Sequence, residues 1–445
     1  MIMALTKPPF LDDTGKQINE RLREIRDVLA NPSQAGTIYG FHIDGSESDP
    51  EACVTYLMDA VGMTPAYMDY ANDKFIWGSW RGARDVFFLP RPCMVKYDGT
   101  VDYYLDENDY SKKRDGTASD IANTSYGGNA MMEWGRDGKL IWYKVVPDSG
   151  DDTSGSVYIA DYQVDEDYHA WSFVNNQGEL ADHFYTPIYN GSYDGSKLRS
   201  LSGQTVMKSQ TGTEEMARAQ ANNPGTDILW NIETFADRTL INFLLILMAK
   251  TLDTQTAFGQ GLHTGGSEAV NDGFVTGVHN ARGMFYGTNS GAAATYTNSV
   301  KVFGMENWWG FQWRRINGWI MVDGDQRIKL TNGTQDGSTA SAYNTTGAGY
   351  ISKGATPEGT SGGYVNVMQF SENAMLPKTA SGTSSTYFCD GLWFNNSGAR
   401  FALVGGASYD GVHCGAFYAS LYVAVSFASW NVGAALSCKP LAQRG

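Results

Sequence analysis

The first periodic stretch of the chain is Thr14 to Asn31. There Ile18, Leu22, Ile25 and Leu29 recur at spacings of four, three and four among charged and polar residues. That pattern predicts an amphipathic helix with an a/d seam, ended by Asn31-Pro32. The seam either packs on its own domain or joins several chains in a short parallel bundle. A seam this short is marginal alone, so a bundle needs further contacts.

From about Gly36 to Asn123 the pattern changes to acidic, turn-rich loops with short β-like runs such as FIWGSW, and a helix is expected over Pro50 to Val61. From about Tyr126 strand patterns dominate. KLIWYKVV and SVYIADYQV read as neighbouring strands, and Val322-Asp323-Gly324-Asp325 as a tight hairpin turn. Two helices interrupt them. One is expected over Thr213 to Asn222, capped by Thr213 with Glu214 and Glu215 in its first turn. The other spans about Ile232 to Asp253, with Phe235, Leu240, Phe243, Leu244 and Ile246 making it apolar on much of its circumference, as in a core helix. No Pro/Ser linker divides residues 126 to 445. The expectation is an α+β protein with an N-terminal helix (1–35), a small intermediate domain (36–125) and a loop-rich, mostly antiparallel domain (126–445).

Composition narrows the function classes. The chain has 445 residues and a formal net charge of −15. No Lys/Arg cluster offers a basic face, so nucleic acid is not an expected partner. Five cysteines, Cys53, Cys93, Cys389, Cys414 and Cys438, are odd in number and widely spaced, which fits neither a disulfide framework nor a structural zinc site. The first residues contain no apolar signal-peptide core. The longest apolar run, Leu240 to Ala249, is too short to span a bilayer, so no membrane insertion is expected.

Local motifs do not build a catalytic centre. Gly359 to Gly363 matches GxSxG, but in a Gly/Ser/Thr-rich loop rather than a strand-to-helix elbow. FGQGLHTGG, Phe258 to Gly266, approaches a GxGxxG loop but follows a helix, which favours a helix C-cap and turn. His42, His169, His183, His263, His279 and His413 have no metal-ligand spacing. Asp165 to Asp167 reads as a solvated turn. No catalytic residue, cofactor or metal is expected.

The most informative stretch lies between Phe401 and Ser429, which contains no Lys, Glu, Gln, Met or Trp although the rest of the chain uses all five. Its SYDGVH mixes Asp, His and Tyr with Val without the period-2 order of a core strand. Around it stand STYFCD with Trp393, then ALVGG, a GxxxGAF spacing, the Leu421 to Ser426 stretch and a closing WNVGAALSC. Upstream stand FYTPIYNGS, LRSLSG, EEMARA and DILWN. These motifs resemble the variable proteins diversified by retroelements in phages and bacteria, which have a C-type-lectin fold similar to formylglycine-generating enzymes. The resemblance covers roughly residues 126 to 445.

The resemblance implies a reason for the missing residue types. Randomising adenines in AAC or AAT codons yields Val, Ala, Ser, Tyr, Asp, Gly, His, Leu and Phe, but never the five that are absent. It also divides the segment. Gly405, Gly406, Gly411, Gly415, Phe417, Leu421, Ser426, Trp430 and Gly433 are implied scaffold, with Trp430 a buried anchor. Val404, Ala407, Ser408, Tyr409, Asp410, Val412, His413, Tyr422, Val423, Phe427 and Ser429 are implied diversified, exposed, ligand-binding positions, with Ala419 and Ser420 between the classes. At Ser408 many relatives carry Trp.

The implied function is that of a phage receptor-binding protein, a tail-fibre tip adhesin. It would be a homotrimer joined by its N-terminal helix and attached there to a tail structural protein. It would be made in the host cytoplasm and carried on the virion, binding a bacterial surface protein or glycan. A diversified adhesin of the bacterial surface is the alternative. An oxidase of the formylglycine-generating type would want a second cysteine near Cys414, which the sequence does not provide. Calcium-dependent sugar binding would want Asp after Trp430-Asn431, where Val432 stands.

Overall fold

A computed structural model describes residues 36–82, 86–225, 227–330 and 344–442. The helix expected over Thr14 to Asn31 lies outside the described residues. The expected α+β class is corrected to a mostly-β fold: 34 % of the chain is strand, spread over several sheets, against four helices of nine, fifteen, five and six residues among the described residues. Local composition contributes. Aromatic and β-branched residues dominate runs that Gly, Asn and Asp interrupt at short intervals, which limits helix propagation and favours strands joined by turns.

The Ile38–Ile43 strand sits between Val54–Met58 and Asp151–Ala160, with Trp142–Asp148 outermost, in an antiparallel four-stranded sheet. A six-stranded sheet includes Arg91–Lys96 paired with Gly128–Trp134. Strands from before and after residue 125 thus share both sheets. The largest sheet has ten strands. At its centre, Trp313–Val322 pairs antiparallel with Ala399–Val404, which pairs with Ala419–Leu421, followed in parallel by Gly391–Phe394. Val432–Gly433 joins Trp313–Val322 in parallel.

The helices refine the expectations at their ends. Helix α1 is Gly212–Gln220, and its N-cap is Thr211 rather than Thr213. The Glu214 N–H reaches Thr211 Oγ1 at 3.4 Å, and Thr211 N–H donates to Glu214 Oε2 at 2.8 Å. This capping box needs Thr and Glu three apart, which selects Thr211. Helix α2, Phe235–Ala249, has all fifteen residues buried. It starts after Ile232 because Trp230–Ile232 is a strand paired with Leu436–Cys438. Helix α3 is Thr254–Phe258, closed by Gly259 at φ 127°, as the C-cap reading of FGQGLHTGG required. Helix α4 is Glu268–Gly273.

The helix expected over Pro50 to Val61 is a single turn followed by the Val54–Met58 strand. Asp49 accepts the N–H groups of Glu51 and Ala52, a start that Val54, Thr55 and Tyr56 convert into pairing with Ile38–Ile43. The hairpin at Asp323-Gly324 forms as expected, with φ of 48° and 83° at its two central residues. No helix among the described residues is long and apolar enough to cross a membrane.

Candidate functional site

Ala399–Val404 delivers the chain to the site, and its alternation decides what faces outward. Leu403 packs with Trp313, Tyr418 and Val432 on one side of the sheet. Val404 points to the other side, against the core that holds α2, and is 2 % exposed. A period of two makes that choice obligatory. Val404, implied to be ligand-facing, is therefore a core residue.

Two glycines then turn the strand. Gly405 and Gly406 adopt φ of 84° and 82°. A Cβ on Gly406 would lie 2.5 Å from Cys414 Sγ, and one on Gly405 would lie 2.9 Å from Trp308 O. Only glycine meets both demands.

The next two residues are also buried, contrary to their implied exposure. Ala407 is packed with Cys414 and Tyr418. Ser408 donates its N–H to Phe311 O at 3.0 Å and accepts the Gly266 N–H at 2.9 Å. It is sealed between these loops with no exposed surface. Gly266 is needed there, because a Cβ on it would come within 2.2 Å of Ser408. The near-GxGxxG loop thus supports the site and carries no phosphate-binding turn.

Beyond Ser408 the chain emerges. Tyr409 is exposed, and its hydroxyl accepts from Asn431 Nδ2 at 2.6 Å. Trp430, implied to be a buried anchor, is half-buried and tilted against Tyr409 at 5.4 Å between ring centres. Asp410 folds back so that its Oδ2 accepts the Ala407 N–H at 2.7 Å. Burial pushes its carboxyl up to about 6. Val412 is exposed, and its carbonyl accepts from Gln255 of α3. His413 stacks on Tyr364 at 4.1 Å. These two residues lie on a shoulder outside the groove described below.

The turn through Gly415 to Phe417 is anchored from the core. Ala416 O accepts from both Arg238 and Asn242 of α2, at 3.1 and 2.7 Å. Phe417 is buried against Phe388 and donates its N–H to Asp390 Oδ2 at 2.8 Å. Burial drives the Asp390 carboxyl well above its ordinary range.

After Ala419–Leu421 a second loop returns over the sheet. Arg315 Nη2 donates to Phe427 O at 2.7 Å, Gly212 N–H to Val425 O at 2.9 Å and Ser209 N–H to Ser429 O at 3.0 Å. Backbone groups bear the fixing, so the exposed side chains of Tyr422 and Phe427 do not hold the loop, whereas half-buried Val423 packs on the cluster of Trp313 and Leu403. Ser426, an implied scaffold position, is exposed, whereas Leu421 is fully buried.

The two loops close a groove of about 340 Å³ in which Tyr409, Asp410, Tyr422, Val423 and Phe427 meet. Sequence reasoning missed its remaining lining, which includes Trp313, Trp393, Leu403 and Asn431, while Ser420, placed between the two classes, also lines it. The available signal was Trp393, a tryptophan beside the STYFCD motif, which proves 41 % exposed. A wider recess of about 630 Å³ lies elsewhere, near Arg91, Glu133 and Tyr104. There Arg91 and Tyr104 are both spent on Glu133.

The remaining candidates stay structural. Ser361 of the GxSxG match donates to Phe394 O and accepts the Phe394 N–H, with a strand on either side rather than a helix. Asp165 accepts the Asp167 N–H within a turn and pairs with Lys144 at 3.3 Å. Cys414 is fully buried, its thiol donates to Ala407 O at 3.4 Å, and burial raises it well above its ordinary pKa. That is the opposite of a reactive thiolate. All five cysteines are buried and unpaired. Among the described residues no three His, Cys, Asp or Glu side chains gather as a metal site would require. The groove is suited to binding, with aromatic contact area around a few polar groups. In comparison with known proteins, no family model and no curated protein sequence matches the chain.

Proposed function

We propose that the chain is a phage receptor-binding protein, a tail-fibre tip adhesin that holds a bacterial surface ligand on a retroelement-diversified surface. The observation that carries this reading is convergence. Tyr409-Asp410 and Tyr422 to Phe427, two segments of the stretch that avoids five residue types, meet in one groove. The backbone of the second segment is pinned by Arg315 at Phe427 O and by Gly212, the first residue of α1, at Val425 O. A rigid frame with replaceable side chains is what a diversified binding surface needs. Copies joined through the N-terminal helix as a trimer would gain avidity without new contacts, and the same segment would attach to a tail structural protein.

The test has two arms. Sequencing of the gene's neighbourhood is expected to reveal a reverse transcriptase and a template repeat that differs from the 401–430 coding stretch only at adenines. Purified protein is expected to sediment as a trimer and to adhere to bacterial cells. A monomer that adheres to no strain would refute the reading. Detection in purified virions separates it from a diversified adhesin of the bacterial surface.

A further inference from the structure

The groove is lined by aromatic rings and by a few hydrogen-bond acceptors. At one end Trp393 and Tyr422 form a corner, with ring centres 6.4 Å apart and planes at 83°. They are 41 % and 48 % exposed. The indole is fixed before any ligand arrives. Its Nε1 donates to Tyr418 Oη at 2.8 Å, and Gly362 lies against the ring so closely that a Cβ would stand 2.8 Å from it. Tyr409 and Phe427 continue the apolar rim.

Asp410 and Asn431 also line the groove. Asp410 already accepts the Ala407 N–H and a hydrogen bond from the Trp313 side chain, which leaves part of its carboxyl's accepting capacity. Asn431 spends its amide nitrogen on Tyr409, and its amide oxygen takes no hydrogen bond from the described residues. No Lys or Arg lines the groove.

This chemistry selects among surface ligands. The C–H face of a pyranose ring is apolar and packs on aromatic rings, while its hydroxyls are donors that need acceptors. A carboxylate without a neighbouring cation repels phosphate and carboxylate groups. The groove's size matches a small concave ligand site, whereas a stable protein partner needs roughly 800 Å² of surface from each side.

We propose that this groove binds neutral pyranose units of a bacterial surface polysaccharide, packing a sugar face on Trp393 or Tyr422 and accepting hydroxyl protons on Asp410 and Asn431. This deepens the receptor-binding reading and rests on it for the source of the glycan.

The experiment applies the full-length protein to an array of neutral and anionic bacterial oligosaccharides. In parallel it is applied to bacteria treated with periodate, which cleaves vicinal sugar diols, or with proteinase K. Expected are binding to neutral pyranosides over anionic ones, loss of cell adhesion after periodate, and adhesion that survives proteinase K. Tyr422→Ala removes an exposed ring and should leave the melting temperature unchanged while weakening array binding by about tenfold.

Adhesion destroyed by proteinase K and indifferent to periodate would overturn the glycan assignment while leaving receptor binding intact. An array silent for every neutral glycan would also overturn it. Array binding without adhesion to any bacterium would uphold the glycan site and refute the receptor-binding reading.

Discussion

Arg315 Nε lies 2.6 Å from Glu215 Oε2, with both side chains wholly buried, and the same guanidinium donates through Nη2 to Phe427 O at 2.7 Å. Helix α1 thereby positions a groove loop more than two hundred residues away in sequence. The pair desolvates two charges, so its net worth to stability is modest, but removing one partner strands the other. Arg315→Met is expected to cost about 3–5 kcal/mol and to free the loop carrying Phe427. Urea unfolding checks the first expectation. Faster amide exchange at residues 422–429, with α2 unaffected, checks the second.

The buried carboxyl of Asp410 makes stability depend on pH. Its pKa is raised from 3.8 to about 6 by burial, so the folded chain holds this proton more tightly than the unfolded chain does. The contribution is fully present below pH 3.8 and is lost as pH rises through about 6. Asn cannot ionise and can still accept the Ala407 N–H. Asp410→Asn should therefore equal the parent protein in stability at low pH and exceed it by up to about 3 kcal/mol above pH 7. Denaturant titrations of both proteins at pH 3 and pH 8 measure the difference. Equal stabilities at pH 8 would refute the burial of this charge.

Positions within the diversified stretch should differ sharply in tolerance. Random substitution at Tyr422 and Phe427 is expected to change stability by no more than about 0.5 kcal/mol each. At Ser408, Ser408→Tyr has no space to enter beside Gly266 and should cost about 1–3 kcal/mol or more. Val404→Asp would bury a carboxylate in the core and is expected to abolish folding. Yield and protease resistance across a saturation library read this out.

Gly406 meets two constraints at once, a φ of 82° and a close approach to Cys414. Gly406→Ala should destabilise by about 1–3 kcal/mol. A companion Cys414→Ala, which removes the sulfur contact but leaves the Tyr418 ring 2.6 Å from the new Cβ as well as the backbone strain, should recover only part of the loss. Full recovery would show that contact alone was at stake.

Patterns local in sequence were legible without coordinates: the neighbouring strands around residue 150, the apolar helix α2 and the Asp323-Gly324 hairpin. Each depends on side-chain periodicity or on backbone conformations that few residues accept. The balance of helix and strand was not legible, because strand pairing joins segments far apart, as when Trp230–Ile232 meets Leu436–Cys438. That pairing shortened α2, and pairing with Ile38–Ile43 took Val54–Met58 out of a helix.

The sequence by itself determined which segment has unusual composition, since composition is a property of single positions. Tertiary structure alone decided which side chains face outward. Val404 is turned to the core by strand alternation, Ser408 is sealed by a loop some 140 residues upstream in sequence, and Trp393 is brought to Tyr422 by parallel pairing of Gly391–Phe394 with Ala419–Leu421. Exposure is set by what packs above and below a residue, and those neighbours come from distant parts of the chain.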